Sequence, residues 1–169
     1  MIDELEQKKE DTFMETFNAI NNEFSEKYRS FYPEKGAEAK LELEDQEEPL
    51  DSGLLIEAKP AGKELKNIDA LSGGEKTLTA LSFIFAIQSH NPSPFYILDE
   101  IDATLDDENS ERVAKMVKES SEILQYIVVT HNPPITRASD QVVGVHMDEE
   151  QNSSLIEVNL KDYSQYTEE

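Results

Sequence analysis

The sequence predicts an α/β fold with a mostly parallel sheet flanked by helices, on three observations. Phe95-Tyr96-Ile97-Leu98 and Tyr126-Ile127-Val128-Val129 are continuous apolar runs with the length and residue types of buried strands. Helical segments alternate with them, the order that produces a parallel sheet covered on both faces. Residues 39–44, Ala-Lys-Leu-Glu-Leu-Glu, alternate apolar and polar, as one strand of a small antiparallel hairpin does.

Residues 1–31 read as one helix. Phe13, Phe17, Ile20, Phe24, Tyr28 and Phe31 recur at spacings of four and three, which puts them on one stripe. Ile2 and Leu5 extend a similar seam, and charged residues fill the other faces. No capping residue precedes the helix, so its start reads as the cut end of a longer, coiled-coil arm. The Phe-rich part has the pattern of an ordinary core helix. Tyr32-Pro33-Glu34-Lys35-Gly36 breaks it, and residues 32–169 form the rest of the domain. The acidic turn 45–53 joins the strand at 39–44 to a second at 54–57, which Pro60 and Gly62 close.

From residue 70 the character changes. Residues 74–88 form a helix apolar on most faces, which predicts burial all round. The strand 95–98 ends in Asp99-Glu100. A helix at 107–119 has acids at its start and Lys115 and Lys118 near its end, as the helix dipole favours. The strand 126–129 ends in Thr130-His131. A short helix after Pro133-Pro134 leads to strands at 141–145 and 154–158 and a polar tail.

Composition limits the function. The 169 residues suit one domain. The absence of Cys excludes disulfides and Cys-ligated zinc. No apolar run approaches the ~20 residues of a membrane span. The N-terminal MIDELEQKKE is not a secretory signal, so a cytoplasmic protein without a membrane partner is expected. The 15 basic and 37 acidic side chains give a net charge of −22, a surface that repels nucleic-acid phosphates.

In open parallel sheets, ligands bind beyond the carboxyl ends of the strands. Asp99-Glu100 and Thr130-His131 end two strands at that edge. An apolar strand followed by two acids fits phosphoryl chemistry: Asp99 holds Mg²⁺ and Glu100 activates the attacking water. Acids also simply end strands. Leu71-Ser72-Gly73-Gly74-Glu75-Lys76 is more specific. A Ser and two Gly at a helix start present backbone N–H groups to an anion. Ser72 and Glu75 equally make an S-x-x-E capping box. A cap does not explain two consecutive glycines, each worth about 1 kcal/mol against a helix relative to Ala. Asp106 fits a plain N-cap, and His131 alone fits a core or surface residue.

Together these pieces resemble the C-terminal lobe of an ATP-binding-cassette (P-loop NTPase) head. LSGGE at 71–75 resembles the signature motif and FYILDE at 95–100 resembles Walker B. Ala103-Thr104-Leu105-Asp106 resembles the D-loop, and His131 falls at the switch histidine. More narrowly, LSGGEKTLTALSFIFAIQ and PSPFYILDEIDATLDDENSERVAKMV resemble the SMC (structural maintenance of chromosomes) proteins, over residues 65–160.

That resemblance implies an ATPase that uses ATP and Mg²⁺ and works in chromosome organisation and segregation at the nucleoid. It implies that Ser72, Gly73, Gly74, Glu75 and Lys76 contact the nucleotide of a second head. Asp106 then lies at the interface of the two heads, and His131 contacts the γ-phosphate. The partners implied are an N-terminal lobe carrying Walker A, the second head and a kleisin subunit, with DNA bound by the whole complex. No G-x-x-x-x-G-K-[ST] occurs in the chain, and Gly62-Lys63 is followed by Glu64, so this lobe alone is expected to be inactive. Two alternatives are the head lobe of a zinc-hook double-strand-break repair ATPase and a non-catalytic interaction fragment.

Overall fold

The computed structural model describes residues 2–32, 36–148 and 150–159. The helix break at 33–35 and the tail at 160–169 lie outside them. Chain order is α1 (Ile2–Phe31), β1 (Glu38–Leu43), β2 (Leu54–Lys59), β3 (Lys66–Asn67), a 3-10 turn (Ile68–Ala70), α2 (Gly73–His90), β4 (Phe95–Asp99), α3 (Asp107–Ser120), β5 (Gln125–Val129), α4 (Pro133–Ala138), β6 (Gln141–Met147) and β7 (Ser153–Asn159). No helix among the described residues is long and apolar enough to cross a membrane.

The elements match those expected, with short β3 added. The antiparallel β1-β2 hairpin and the parallel β4-β5 pair are as expected. The parallel sheet is smaller than expected: among the described residues there are three separate sheets, β1-β2-β3, β4-β5 and β6-β7, rather than one mostly parallel sheet with a hairpin beside it. An apolar run signals a strand but not its neighbour, and β6 turns back on β7 rather than joining β5.

The stripe on α1 supplies the first core. Phe24 and Tyr28 are fully buried with Ala39 and Leu41 of β1 and Ala58 of β2, while Phe17 and Ile20 pack at the edge. Asn21 ties the helix to the strand: its Oδ1 accepts the Leu41 N–H at 2.8 Å and its amide donates to the Leu41 carbonyl at 3.4 Å. Phe31 reaches a second core with Leu78, Leu81 and Phe85 of α2, Leu98 of β4, and Val113 and Val117 of α3. The first turns of α1 are different. Ile2 and Leu5 are exposed, so the start of the seam finds no cover among the described residues.

The α2 helix lies between the two cores, with Leu78 and Phe85 on one side and Ala86 on the other. Its buried hydroxyls are satisfied locally: Thr79 donates to the Glu75 carbonyl and Ser82 to the Leu78 carbonyl, both at 2.7 Å. Burial is not all round, as its composition suggested, because Ile84 and Ile87 face outward.

The parallel pair departs from expectation in the same way. On its inner face Leu98, Tyr126 and Val128 join the core formed with α2 and α3, the Phe85 and Tyr126 rings lie 6.1 Å apart, and Tyr96 stacks on Tyr126. Its outer face is open: Phe95, Ile97, Ile127 and Val129 are exposed, Ile97 by 63%. Both faces are apolar, but the described residues cover one.

Truncating the buried stripe should therefore cost far more than truncating the open seam. Phe24→Ala is expected to destabilise the chain by about 3–5 kcal/mol, and Leu5→Ala by under about 0.5 kcal/mol. Urea unfolding midpoints check this; similar shifts for both would reject the division of α1 into a packed half and an unpacked one.

Candidate functional site

The parallel register pairs Asp99 with Val129, which brings the carboxyl ends of β4 and β5 to one rim. Glu100 extends the pairing, its N–H donating to the Val129 carbonyl at 2.8 Å. Asp99, Glu100 and His131 are all exposed at this rim. Glu100 has φ of 47°, a left-handed conformation that a non-glycine residue seldom adopts. The turn after it holds it there: the Ala103 N–H donates to the Glu100 carbonyl at 3.1 Å and the Leu105 N–H to the Asp102 carbonyl at 3.0 Å. Strain of this kind collects at functional sites.

Among the described residues no three His, Cys, Asp or Glu side chains converge on a metal position. The rim presents the Asp99 carboxylate to solvent at the strand end.

The second group gathers at the start of α2. Ser72 is its N-cap and is exposed. The Glu75 carboxylate accepts the Ser72 N–H at 3.1 Å, the Ser72 hydroxyl at 2.8 Å and the Lys63 ammonium at 2.6 Å. Lys76 lies 3.8 Å from Asp69. The glycines are not required by packing. A Cβ on Gly73 would meet nothing within 4 Å, and one on Gly74 would make only ordinary contacts at 3.9 Å with Asn109, Leu105 and Thr104. Neither glycine has positive φ. Alanine would fit both positions among the described residues.

Asp106 is the N-cap of α3, as its plainer reading anticipated, and accepts the Asn109 N–H at 2.9 Å. The Thr77 and Thr104 hydroxyls share a hydrogen bond of 2.8 Å that fastens α2 to the loop before α3. Ser72, Glu75 and Asp106 thus line one open cleft of about 390 Å³, with Arg112 and Tyr32 on its wall. Arg112 stacks over the Tyr32 ring at 5.5 Å and pairs with Glu108 at 2.6 Å.

The structure therefore makes two groups of the expected residues. Asp99, Glu100 and His131 share the sheet rim; Ser72, Gly73, Gly74, Glu75 and Asp106 share the α2 tip and its cleft. Sequence reasoning missed the residues that support them. Asp102 is buried and accepts the Thr130 hydroxyl at 2.7 Å. Lys63 holds Glu75, and Thr77 and Thr104 join the cleft's walls. For Asp102 the signal was slight, an acid between the apolar Ile101 and Ala103. For Lys63, set in a loop twelve residues before its partner, there was none.

Burial pushes the Glu75 carboxyl up, but hydrogen bonds from Lys63 and from Ser72 outweigh it and hold the pKa below the ordinary carboxylate value. Because the folded value is the lower one, the stabilisation is complete above the unfolded pKa of about 4.3 and is lost as pH falls through the folded value. Lys63→Met removes the strongest of these donors and leaves the burial. The Glu75 carboxyl, followed by NMR titration, should then titrate higher, and less stability should be lost on acidification. An unmoved titration would exclude Lys63 as the cause.

Comparison with known proteins gives the family. Residues 5–154 match the family described as RecF/RecN/SMC N terminal domain. The chain is 52% identical over 146 residues to the chromosome partition protein Smc of Pyrococcus furiosus, and 48% identical over 148 residues to that of Methanocaldococcus jannaschii. These alignments cover 86% and 88% of this chain but 12% of each relative, so the chain spans about an eighth of their length. It superposes on the P. furiosus Smc head domain with extended coiled coil, bound to the C-terminal domain of ScpA. That match has a TM-score of 0.89 and 47% identity, covering 99% of this chain and 41% of the other. It also superposes on a polypeptide from work on ATP-driven dimerization and DNA stimulated activation of SMC ATPases, with a TM-score of 0.81, 46% identity and 94% of both chains covered. The family match spans most of the chain, and the chain belongs to the RecF/RecN/SMC family.

Proposed function

We propose that this chain is the C-terminal half of an SMC ATPase head, residues 1–31 being the base of a coiled-coil arm and 32–169 the catalytic lobe. A lobe carrying Walker A completes the site. The observation that carries the proposal is the α2 tip: an exposed Ser72 followed by two glycines that nothing inside the chain requires. Three further features support it. The chain has no phosphate-cradling G-x-x-x-x-G-K-[ST] of its own. The outer face of β4-β5 is apolar and open, and β6-β7 exposes Val143, Val145, Met147 and Leu155, as surfaces awaiting another lobe would. A polypeptide of matching extent is a chain in the SMC ATPase work. The Smc relatives favour this reading over a zinc-hook repair ATPase.

In the completed head, Asp99 holds Mg²⁺ and Glu100 polarises the water that attacks the γ-phosphate. Ser72, Gly73 and Gly74 offer backbone N–H groups and a hydroxyl to the γ-phosphate carried by a second head, with Glu75 and Lys76 beside them. Asp106, at the cleft wall, lies at that interface, and His131 contacts the phosphate on its own side. Dimerisation is then switched by ATP, because the second head gains contacts to a group that hydrolysis removes. A kleisin partner follows from the ScpA-bound relatives. DNA at the nucleoid is engaged by other parts of the complex, since this lobe carries −22.

In an assembled head, Glu100→Gln should lower ATP turnover by roughly 10²- to 10⁴-fold and trap an ATP-bound dimer, seen by turnover assay and size-exclusion chromatography. Ser72→Arg should leave nucleotide affinity within about twofold and abolish ATP-dependent dimerisation, because it blocks a contact made only by the second head. Heads with Ser72→Arg that still dimerise would reject the signature assignment. Calorimetry on the chain alone should show weak or no ATP binding; tight binding would contradict the two-lobe site.

A further inference from the structure

We propose that Asp102 is a positioning residue that fixes His131 relative to Glu100 through the hydroxyl of Thr130. The inference rests on the roles given above to Glu100 and His131. Asp102 is 2% exposed. A carboxylate at that depth needs a hydrogen-bond donor, and the Thr130 hydroxyl supplies it at 2.7 Å. The same Thr130 oxygen accepts the Asn132 N–H at 2.9 Å, so one hydroxyl spans His131 from both sides. Asn132 in turn donates its side-chain amide to the fully buried Ser110 hydroxyl at 2.8 Å. The Ser110 N–H donates to the Asp106 carbonyl at 2.9 Å.

Asp102 sits in the turn that holds Glu100 in its left-handed conformation, through the Ala103-to-Glu100 and Leu105-to-Asp102 hydrogen bonds. The Asp102 side chain therefore crosses from the loop carrying Glu100 to the loop carrying His131. The Asn132–Ser110 bond carries the connection on to the helix that Asp106 caps. His131 is exposed, but the residues on either side of it are fastened. A buried acid breaks the local rule for a core turn, and such exceptions gather where geometry serves function. The acid here sets the distance between two loops that must meet one phosphate.

The test uses the assembled head, with Thr130→Val and Thr130→Ser compared by kcat, KM for ATP and melting temperature. Thr130→Val removes the donor at nearly constant volume. It should lower kcat by roughly 10- to 100-fold with KM unchanged within about twofold, because the reacting groups are misplaced while binding is retained. Thr130→Ser keeps the hydroxyl and should stay within about threefold of the parent kcat. An unchanged kcat in Thr130→Val, or an equal loss in Thr130→Ser, would overturn the proposal. Should Thr130→Val fail to fold, Asp102→Asn replaces it. The amide oxygen accepts the same hydrogen bond, so its kcat should exceed that of Asp102→Ala by about threefold or more at equal KM. Equal values would overturn the proposal. A Glu100→Gln head assayed in parallel separates the two levels: normal turnover there rejects the role of Glu100 itself, whereas its loss beside a normal Thr130→Val head rejects the positioning role alone.

Discussion

The packing of α2 against the inner face of β4-β5 is the contact on which the rest of the chain depends. Phe85 and Leu81 of α2 meet Leu98 and Tyr126, and the Tyr126 hydroxyl donates to Gln88 at 2.8 Å. This contact sets where the α2 tip lies relative to the strand ends, and so where Ser72 stands relative to Asp99. The α1 helix braces α2 from the other side through Phe24 and Tyr28. Burial pushes the Tyr28 phenol far above its ordinary pKa, so it stays neutral at any physiological pH.

Most of the fold was legible in the sequence because its elements carry clean periods. The stripe from Phe13 to Phe31 and the runs at 95–98 and 126–129 each announced an element. Partners were harder to read. An apolar strand such as 141–145 looks the same whether it joins a parallel sheet or folds back into a hairpin, and only backbone pairing separates the two. The expectation of burial all round failed for a related reason. Ile84 and Ile87 of α2 and Ile97 and Val129 of the sheet have the character of core residues, but the described residues do not enclose them.

The candidate site was legible to a different degree. The two glycines stood out because a helix would prefer alanine there, whereas Asp99 and Glu100 also simply end a strand and Ser72 also caps its helix. The supporting residues obeyed local rules. Lys63 looks like a surface lysine, Thr130 like a strand-end threonine, and Ser110 like a helix serine. Their significance lies in contacts between loops far apart in the chain, such as Thr130 with Asp102, which no pattern along the sequence encodes.

The open surfaces bear on how the proposed lobes would join. Phe95, Ile97, Ile127 and Val129 make a contiguous apolar face, and a monomer seldom leaves such a face in water. Apolar burial of that kind suits a lasting union within one head. The α2 tip is the opposite case. It exposes a hydroxyl and bare backbone, groups that gain little from meeting one another and much from meeting a phosphate. One molecule thus presents two kinds of surface, one built to stay covered and one whose attraction depends on a ligand. In the proposed head, which would stay whole while its dimer opens and closes, that division would be required.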